Sequence, residues 1–216
     1  MRVRKKKSGD ARFSAQKDIT LEYNREAPEM INLSEAFPGY SRFRIEIGCG
    51  KGSFITEEAK RNPDVAFIAV EKVRDVIIFA MEKVAAAELT NVRFLCADAE
   101  KLDLLFPAGT FERIYINFCD PWPKARHAKR RLTYRKFLEK FKPLLAENGA
   151  IAFKTDNRAL FDFSLEEFPA AGFTLRDVTL DLHASEWAEE NIMTEYEKNF
   201  SEKGFKINRL VAYIDK

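Results

Sequence analysis

From Phe43 onward the chain repeats one unit: a short apolar run, a turn, then an amphipathic segment. That repeat limits the fold more than any other feature. Apolar runs rich in β-formers predict strands over 44–47, 66–70, 91–95, 111–118, 150–154, 173–180 and 207–214. Between them, helical spacing predicts helices from Ser53 to about Asn62, over 73–89, over 133–147, up to Phe168, and near 194–203. In the helix over 73–89, Val73, Ile77, Ala80, Met81, Val84 and Ala87 share one apolar face. Strands alternating with helices run mainly parallel and carry helices on both faces. The expected fold class is therefore α/β, a doubly wound, mainly parallel sheet of seven strands. Residues 1–40 lack a sustained period. They read as a basic arm plus a short helix near 28–37, closed by Pro38-Gly39, which leaves 41–216 as the main domain.

In such sheets ligands sit outside the carboxyl ends of the strands. Glu71, Asp98, Asp120 and Asp156 all fall at those ends. The first strand carries Glu46 and runs into Gly48-Cys49-Gly50-Lys51-Gly52, where glycines let the backbone turn sharply and approach a ligand. Glu71, about twenty residues on, is placed to accept both ribose hydroxyls of an adenosine. A dinucleotide fingerprint would need glycine at position 53, where Ser53 stands. The acids Glu46, Glu71, Asp98 and Asp120 would also repel a pyrophosphate and welcome a cationic nucleoside. S-adenosylmethionine, with its sulfonium, is such a ligand. The plainer readings are a tight strand-to-helix turn for the glycines and a helix cap for Asp98.

The fourth strand ends in Phe118-Cys119-Asp120-Pro121-Trp122-Pro123-Lys124. Pro121 and Pro123 forbid further ladder hydrogen bonds or an immediate helix, so an acid, a ring and a lysine arrive together. Arg126, His127, Lys129, Arg130, Arg131, Arg135 and Lys136 follow. The formal charge of +2 hides this patch, a second one over 2–7, and an acidic stretch over 186–197. Basic residues beside a strand-end acid suggest phosphate contacts from a polyanion, although such runs are often only solvated faces. Thr194-Glu195-Tyr196-Glu197 fits a helix capping box, with Thr194 as cap and Glu197 reaching back. Asp156 could likewise cap the helix after the fifth strand.

Three cysteines, Cys49, Cys96 and Cys119, lie in or beside strands and read as small buried hydrophobes in a reducing compartment. No Cys/His ligand spacing supports a metal, and no apolar run supports a membrane span or signal peptide. A cytoplasmic protein without membrane attachment is expected, and monomer and homodimer both stay open.

The run Ile45-Glu46-Ile47-Gly48-Cys49-Gly50-Lys51-Gly52 resembles the first motif of class I methyltransferases. Asp120-Pro121-Trp122-Pro123-Lys124-Ala125-Arg126-His127-Ala128-Lys129-Arg130-Arg131-Leu132 resembles the signature of the bacterial tRNA (guanine-N7-)-methyltransferase family, and Thr194-x-x-Glu197 its C-terminal element. The resemblance covers roughly residues 40–214. It implies a Rossmann-like sheet with the last strand antiparallel, S-adenosylmethionine as methyl donor, and tRNA as substrate, methylated at the guanine of position 46 in the variable loop. It implies that Glu46, Gly48, Gly50, Gly52, Glu71, Asp98 and Asp120 hold the donor, with Asp120 catalytic. Lys124, Asp156, Thr194, Glu195, Tyr196 and Glu197 would hold the target nucleotide. Arg126, His127, Lys129, Arg130 and Arg131 would contact RNA. The alternatives are an amine-directed RNA or protein methyltransferase of the same fold and a non-catalytic RNA-binding module. Trp122 in place of a second proline weighs against the first, and the intact glycine turn against the second.

Overall fold

The computed structural model describes residues 9–214, so the basic run over 2–7 lies outside the described residues. The strands form an eight-stranded sheet and divide between two compact units, Met1–Pro107 and Ala108–Lys216. Among the described residues no helix is long and apolar enough to cross a membrane.

In the first unit the elements are α1 (Gly9–Ser14), β1 (Thr20–Leu21), α2 (Leu33–Ala36), β2 (Phe43–Ile47), α3 (Ser53–Arg61), β3 (Ala66–Val70), α4 (Arg74–Ala86), β4 (Val92–Leu95) and α5 (Leu102–Leu105). Its strands lie in the order β1-β4-β3-β2 and pair in parallel. Every residue of β3 is buried, as expected of a central parallel strand covered on both faces. The buried stripe of α4 is Ile77, Ile78, Ala80, Met81 and Val84, and the expected outer members Val73 and Ala87 fall at its two caps. The sheet has one strand more than the sequence pattern predicts. The addition is β1, whose two residues are too few to show a period. Nearby, α1 is fixed to α4 by the Arg12 fork on Glu82, at 2.6 and 2.7 Å.

The second unit holds β5 (Phe111–Asn117), α6 (Arg135–Phe141), β6 (Leu145–Thr155), α7 (Arg158–Ala170), β7 (Phe173–Thr179), α8 (Glu195–Ser201) and β8 (Asn208–Ile214). Its strand order is β5-β6-β8-β7. β5 and β6 are parallel, while β8 runs antiparallel to both its neighbours, as expected of the last strand. The helix expected over 133–147 stops early. Pro143 lies in a 3-10 turn after α6 and β6 begins at Leu145, so Leu144 and Leu145 are buried by a turn and a strand. The core here is aromatic, with Phe153 facing Phe161 and Phe168, and Phe168 edge-on to Phe173.

Candidate functional site

In the first unit three acids gather at one end of adjacent parallel strands. The register sets Glu46 beside Ala69 and Ile47 beside Val70, and Val70 beside Leu95 of β4. Glu71 follows β3 directly and Asp98 lies three residues past β4. After β2 the chain turns through Gly48, Gly50 and Gly52, at φ of 81°, 54° and 78°. The amides of Gly48 and Cys49 both donate to the Val70 carbonyl, at 2.8 and 3.0 Å. A Cβ on Gly48 or Gly50 would meet nothing within 4 Å, whereas one on Gly52 would lie 2.6 Å from the Ala80 Cβ. The first two glycines thus border open space, and the third lets α3 pack on α4.

Glu46 is buried, with 2% of its surface exposed. Burial pushes the neighbouring Cys49 thiol well up, and the Glu46 and Glu71 carboxylates push it further. The Cys49 thiol is therefore held in its neutral form. Glu71 accepts from the Val73 amide at 2.9 Å through Oε1. Asp98 accepts from the Glu100 amide at 3.1 Å, so its capping reading holds, while its side chain stays exposed.

In the second unit β5 stops sharply. Phe118 and Trp122 take left-handed backbone conformations, at φ of 52° and 42°, an outlying geometry for bulky side chains. The Phe118 amide is tied to the Lys154 carbonyl at 2.9 Å. These two strained residues flank Asp120, which is exposed. Desolvation, then the Asp120 charge, push the Cys119 thiol up to about 12, which fits the structural role expected of it.

The basic loop divides by its contacts. The Arg131 guanidinium turns inward, donating to the Pro121 and Trp122 carbonyls at 3.0 and 3.1 Å and lying 4.3 Å over the Phe163 ring. Arg135 is engaged by Glu167, through both its backbone amide and its side chain. Lys124, Arg126, Lys129 and Arg130 are exposed. Arg130 rides 4.9 Å over Trp122, whose edge meets His127. Two arginines of the run, Arg131 and Arg135, are thus engaged within the chain, while Lys124, Arg126, Lys129 and Arg130 face outward.

Around the end of β6 the structure assembles a network that the sequence pattern does not reveal. Lys154 Nζ donates to Glu197 Oε2 at 2.6 Å, Ile192 O at 2.8 Å and Asn191 Oδ1 at 2.9 Å. Glu197 Oε1 is met by Asn191 Nδ2 at 2.6 Å and His183 Nε2 at 2.8 Å. The Thr194–Glu197 capping box is complete, at 2.9 and 3.3 Å. Burial alone would push the Glu197 carboxyl up, but the Lys154 charge and hydrogen bonds from Lys154, His183 and Asn191 hold it below the ordinary range. Glu197 is fully buried, whereas Glu195 and Tyr196 beside it are exposed. The Tyr196 hydroxyl reaches Asp156 Oδ2 at 3.5 Å, and its ring lies 5.1 Å from Phe118. Asp156 does not cap α7, because Asn157 does so through Leu160 N at 2.9 Å. The capping box was legible in the sequence, and the lysine in the apolar run of β6 was a signal that could have exposed the rest of the network. Among the described residues no three His, Cys, Asp or Glu side chains converge as a metal site requires.

Comparison with known proteins gives a consistent picture. Residues 41–210 match a family model described as putative methyltransferase. A tRNA (guanine-N(7)-)-methyltransferase of Lachnoclostridium phytofermentans is 51% identical over 84% of this chain and 85% of its own. The one from Streptococcus equi subsp. zooepidemicus is 43% identical over 98% and 99%. Among solved structures, the 16S rRNA methyltransferase KamB superposes with a TM-score of 0.64 at 13% identity, covering 91% of this chain and 96% of that one. The antibiotic-resistance methyltransferase Kmr gives 0.57 at 18%, covering 90% and 96%. At these identities the structures speak to fold alone.

Proposed function

The chain belongs to the tRNA (guanine-N(7)-)-methyltransferase family, and we propose that it methylates N7 of the guanine at position 46 in the tRNA variable loop, in the cytoplasm. One observation carries the placement of the donor. Three carboxylates stand at the ends of adjacent strands around a glycine turn whose first two members border open space. That opening would take an adenosine against the backbone, with Glu71 toward the ribose and Glu46 and Asp98 supplying negative charge for a sulfonium.

Bound S-adenosylmethionine supplies an electrophilic methyl group. Guanine N7 carries an in-plane lone pair and no proton at neutral pH, so no general base is needed to make the nucleophile. The chain's work is alignment, which can contribute on the order of 7–11 kcal/mol. As positive charge develops on the purine, a carboxylate at its N–H edge binds it more tightly than in the ground state. Asp120, exposed between two strained residues, is the group assigned to that role. Asp156 and Tyr196 would hold the base from the side, Lys124 a carbonyl oxygen or phosphate, and Arg126, Lys129 and Arg130 the RNA backbone. Glu197 would act from behind, fixing the start of α8 rather than touching the base.

The test is incubation with labelled S-adenosylmethionine and unmodified bulk tRNA, followed by reduction and aniline cleavage at 7-methylguanosine. Cleavage after one variable-loop guanine is expected, and label on an exocyclic amine would overturn the reading. Asp120→Asn should slow single-turnover transfer by about 10²–10³-fold. An unchanged rate would remove Asp120 from the catalytic role.

A further inference from the structure

A row of rings leads away from the end of β5. Phe118 meets Tyr196 at 5.1 Å, Tyr196 stacks on Phe200 at 4.2 Å and 17°, and Phe200 meets Phe205 edge-on at 5.5 Å. The first ring lies two residues before Asp120. The last, Phe205, leaves 51% of its surface exposed, and Tyr196 leaves 43%. Contiguous exposed aromatics cost solvation free energy and seldom persist on a surface without a partner. Lys203 places its ammonium 5.2 Å from the Phe200 ring. Tyr196 and Phe200, four residues apart on α8, share a face, Glu197 on the same helix is buried, and Lys203 lies in the turn that follows the helix, its amide donating to the Phe200 carbonyl at 3.1 Å. A cation set among rings suits a chain of planar bases linked by phosphates.

We infer that Phe200, Phe205 and Lys203 form a stacking platform for the unpaired nucleotides next to the methylated guanine, an extension of the acceptor site beyond Asp156 and Tyr196. The inference rests on the reading of tRNA as acceptor. The rings hold the neighbouring base by its face and Lys203 holds the intervening phosphate, so the target guanine is drawn out of its own stack toward Asp120. Binding of this kind is indifferent to base identity, because every base offers a π-face. The platform would therefore select for an unpaired loop rather than for a sequence.

The experiment compares wild type with Phe205→Ala, Phe205→Leu, Phe205→Trp and Lys203→Ala, using unmodified tRNA. Because Phe205 is exposed, these substitutions leave the core intact, and S-adenosylmethionine affinity serves as the internal control for folding. Phe205→Ala should raise KM for tRNA by about 5- to 150-fold, the range expected for loss of a base-stacking ring, with donor affinity unchanged. Phe205→Trp should restore binding and Phe205→Leu should not. Lys203→Ala should lower the slope of log affinity against log salt by about 0.7, the single-strand value for one phosphate, while Phe205→Ala leaves that slope alone. A Phe205→Ala enzyme with wild-type KM, or leucine serving as well as tryptophan, would overturn the platform. So would sedimentation showing that Phe205→Ala changes only the oligomeric state, since the rings would then cover a second copy. Failure of wild type to methylate tRNA at all would instead bring down the acceptor assignment and the platform with it.

Discussion

After β2 the molecule makes an opening almost entirely from backbone, with three left-handed glycines, amides turned onto the Val70 carbonyl, and no side-chain atom where Gly48 or Gly50 would place a Cβ. After β6 the construction is reversed. There the shape depends on side chains from three stretches, with half-buried His183 and Asn191 meeting the buried pair Lys154 and Glu197. The two constructions fail differently. A backbone-built opening tolerates changes in its surroundings but not an added atom in the turn. A side-chain hub tolerates changes in its backbone neighbours but not the loss of a charge, because the partner charge is left buried. The turn after β2 is thus brittle sterically, and the hub after β6 is brittle electrostatically.

The largest expected effect tests the brittle charge. Lys154→Met keeps the length of the side chain and strands the Glu197 carboxylate, fully buried, without its cation. It should cost about 3–5 kcal/mol by urea denaturation. Lys154→Met combined with Glu197→Gln should recover much of that loss. If the single variant were as stable as wild type, the hub would not be what holds α8. The same hub predicts a pH dependence. The folded pKa of Glu197 lies below its unfolded value of 4.5, so the unfolded chain binds more protons in that window and stability rises with pH. The contribution is complete above about pH 4.5 and is lost as pH falls through the folded value. Glu197→Gln should flatten that acid limb of the stability curve, and a limb of undiminished steepness would place its origin elsewhere.

Next in size is the steric contrast within the glycine turn. Gly52→Ala puts a methyl 2.6 Å from the Ala80 Cβ and 2.8 Å from its Cα, at φ 78°. Left-handed strain and overpacking together should cost about 2–4 kcal/mol of stability. Gly48→Ala meets no neighbour. Its stability cost should stay near the about 1–2 kcal/mol of left-handed strain alone, while donor affinity falls because the methyl enters the opening. Equal stability losses at the two positions, measured by denaturant midpoint, would break the distinction between a packing glycine and a ligand-facing one.

This contrast also explains what could be read from the chain beforehand. The parallel strands and the glycine turn are dictated by local pattern, and β3 falls on the expected residues, 66–70. Glu71 and Asp120 could be placed because a strand end is a local event. The hub could not, since its hydrogen bonds join residues 37 and 43 positions apart and no period marks them. Pro143 was visible, but a helix pattern continued through Leu144 and Leu145, and only tertiary packing assigns those leucines to a turn and a strand. β1 is a two-residue strand defined by its pairing with β4, so its own residues carry no signature. The basic run shows the limit most clearly, since charge alone does not say which arginines face outward.

That division of the arginines gives the smallest effect and the sharpest sorting. Arg130 is exposed over Trp122, so Arg130→Ala should remove one phosphate contact and lower the salt slope of tRNA affinity by about 0.7–0.9. Arg131 is committed to the Pro121 and Trp122 carbonyls, and Arg131→Ala should leave the slope unchanged. Its loss frees two carbonyls and loosens the turn that presents Asp120. The turnover number should therefore fall while the salt dependence stays at the wild-type value, and Arg131→Lys should not rescue it, because an ammonium lacks the planar fork that spans both oxygens. An Arg131→Ala enzyme with normal turnover and a flattened slope would exchange the two assignments. Arg131 would then be a phosphate ligand, and the left-handed turn at Trp122 would owe its shape to the prolines alone.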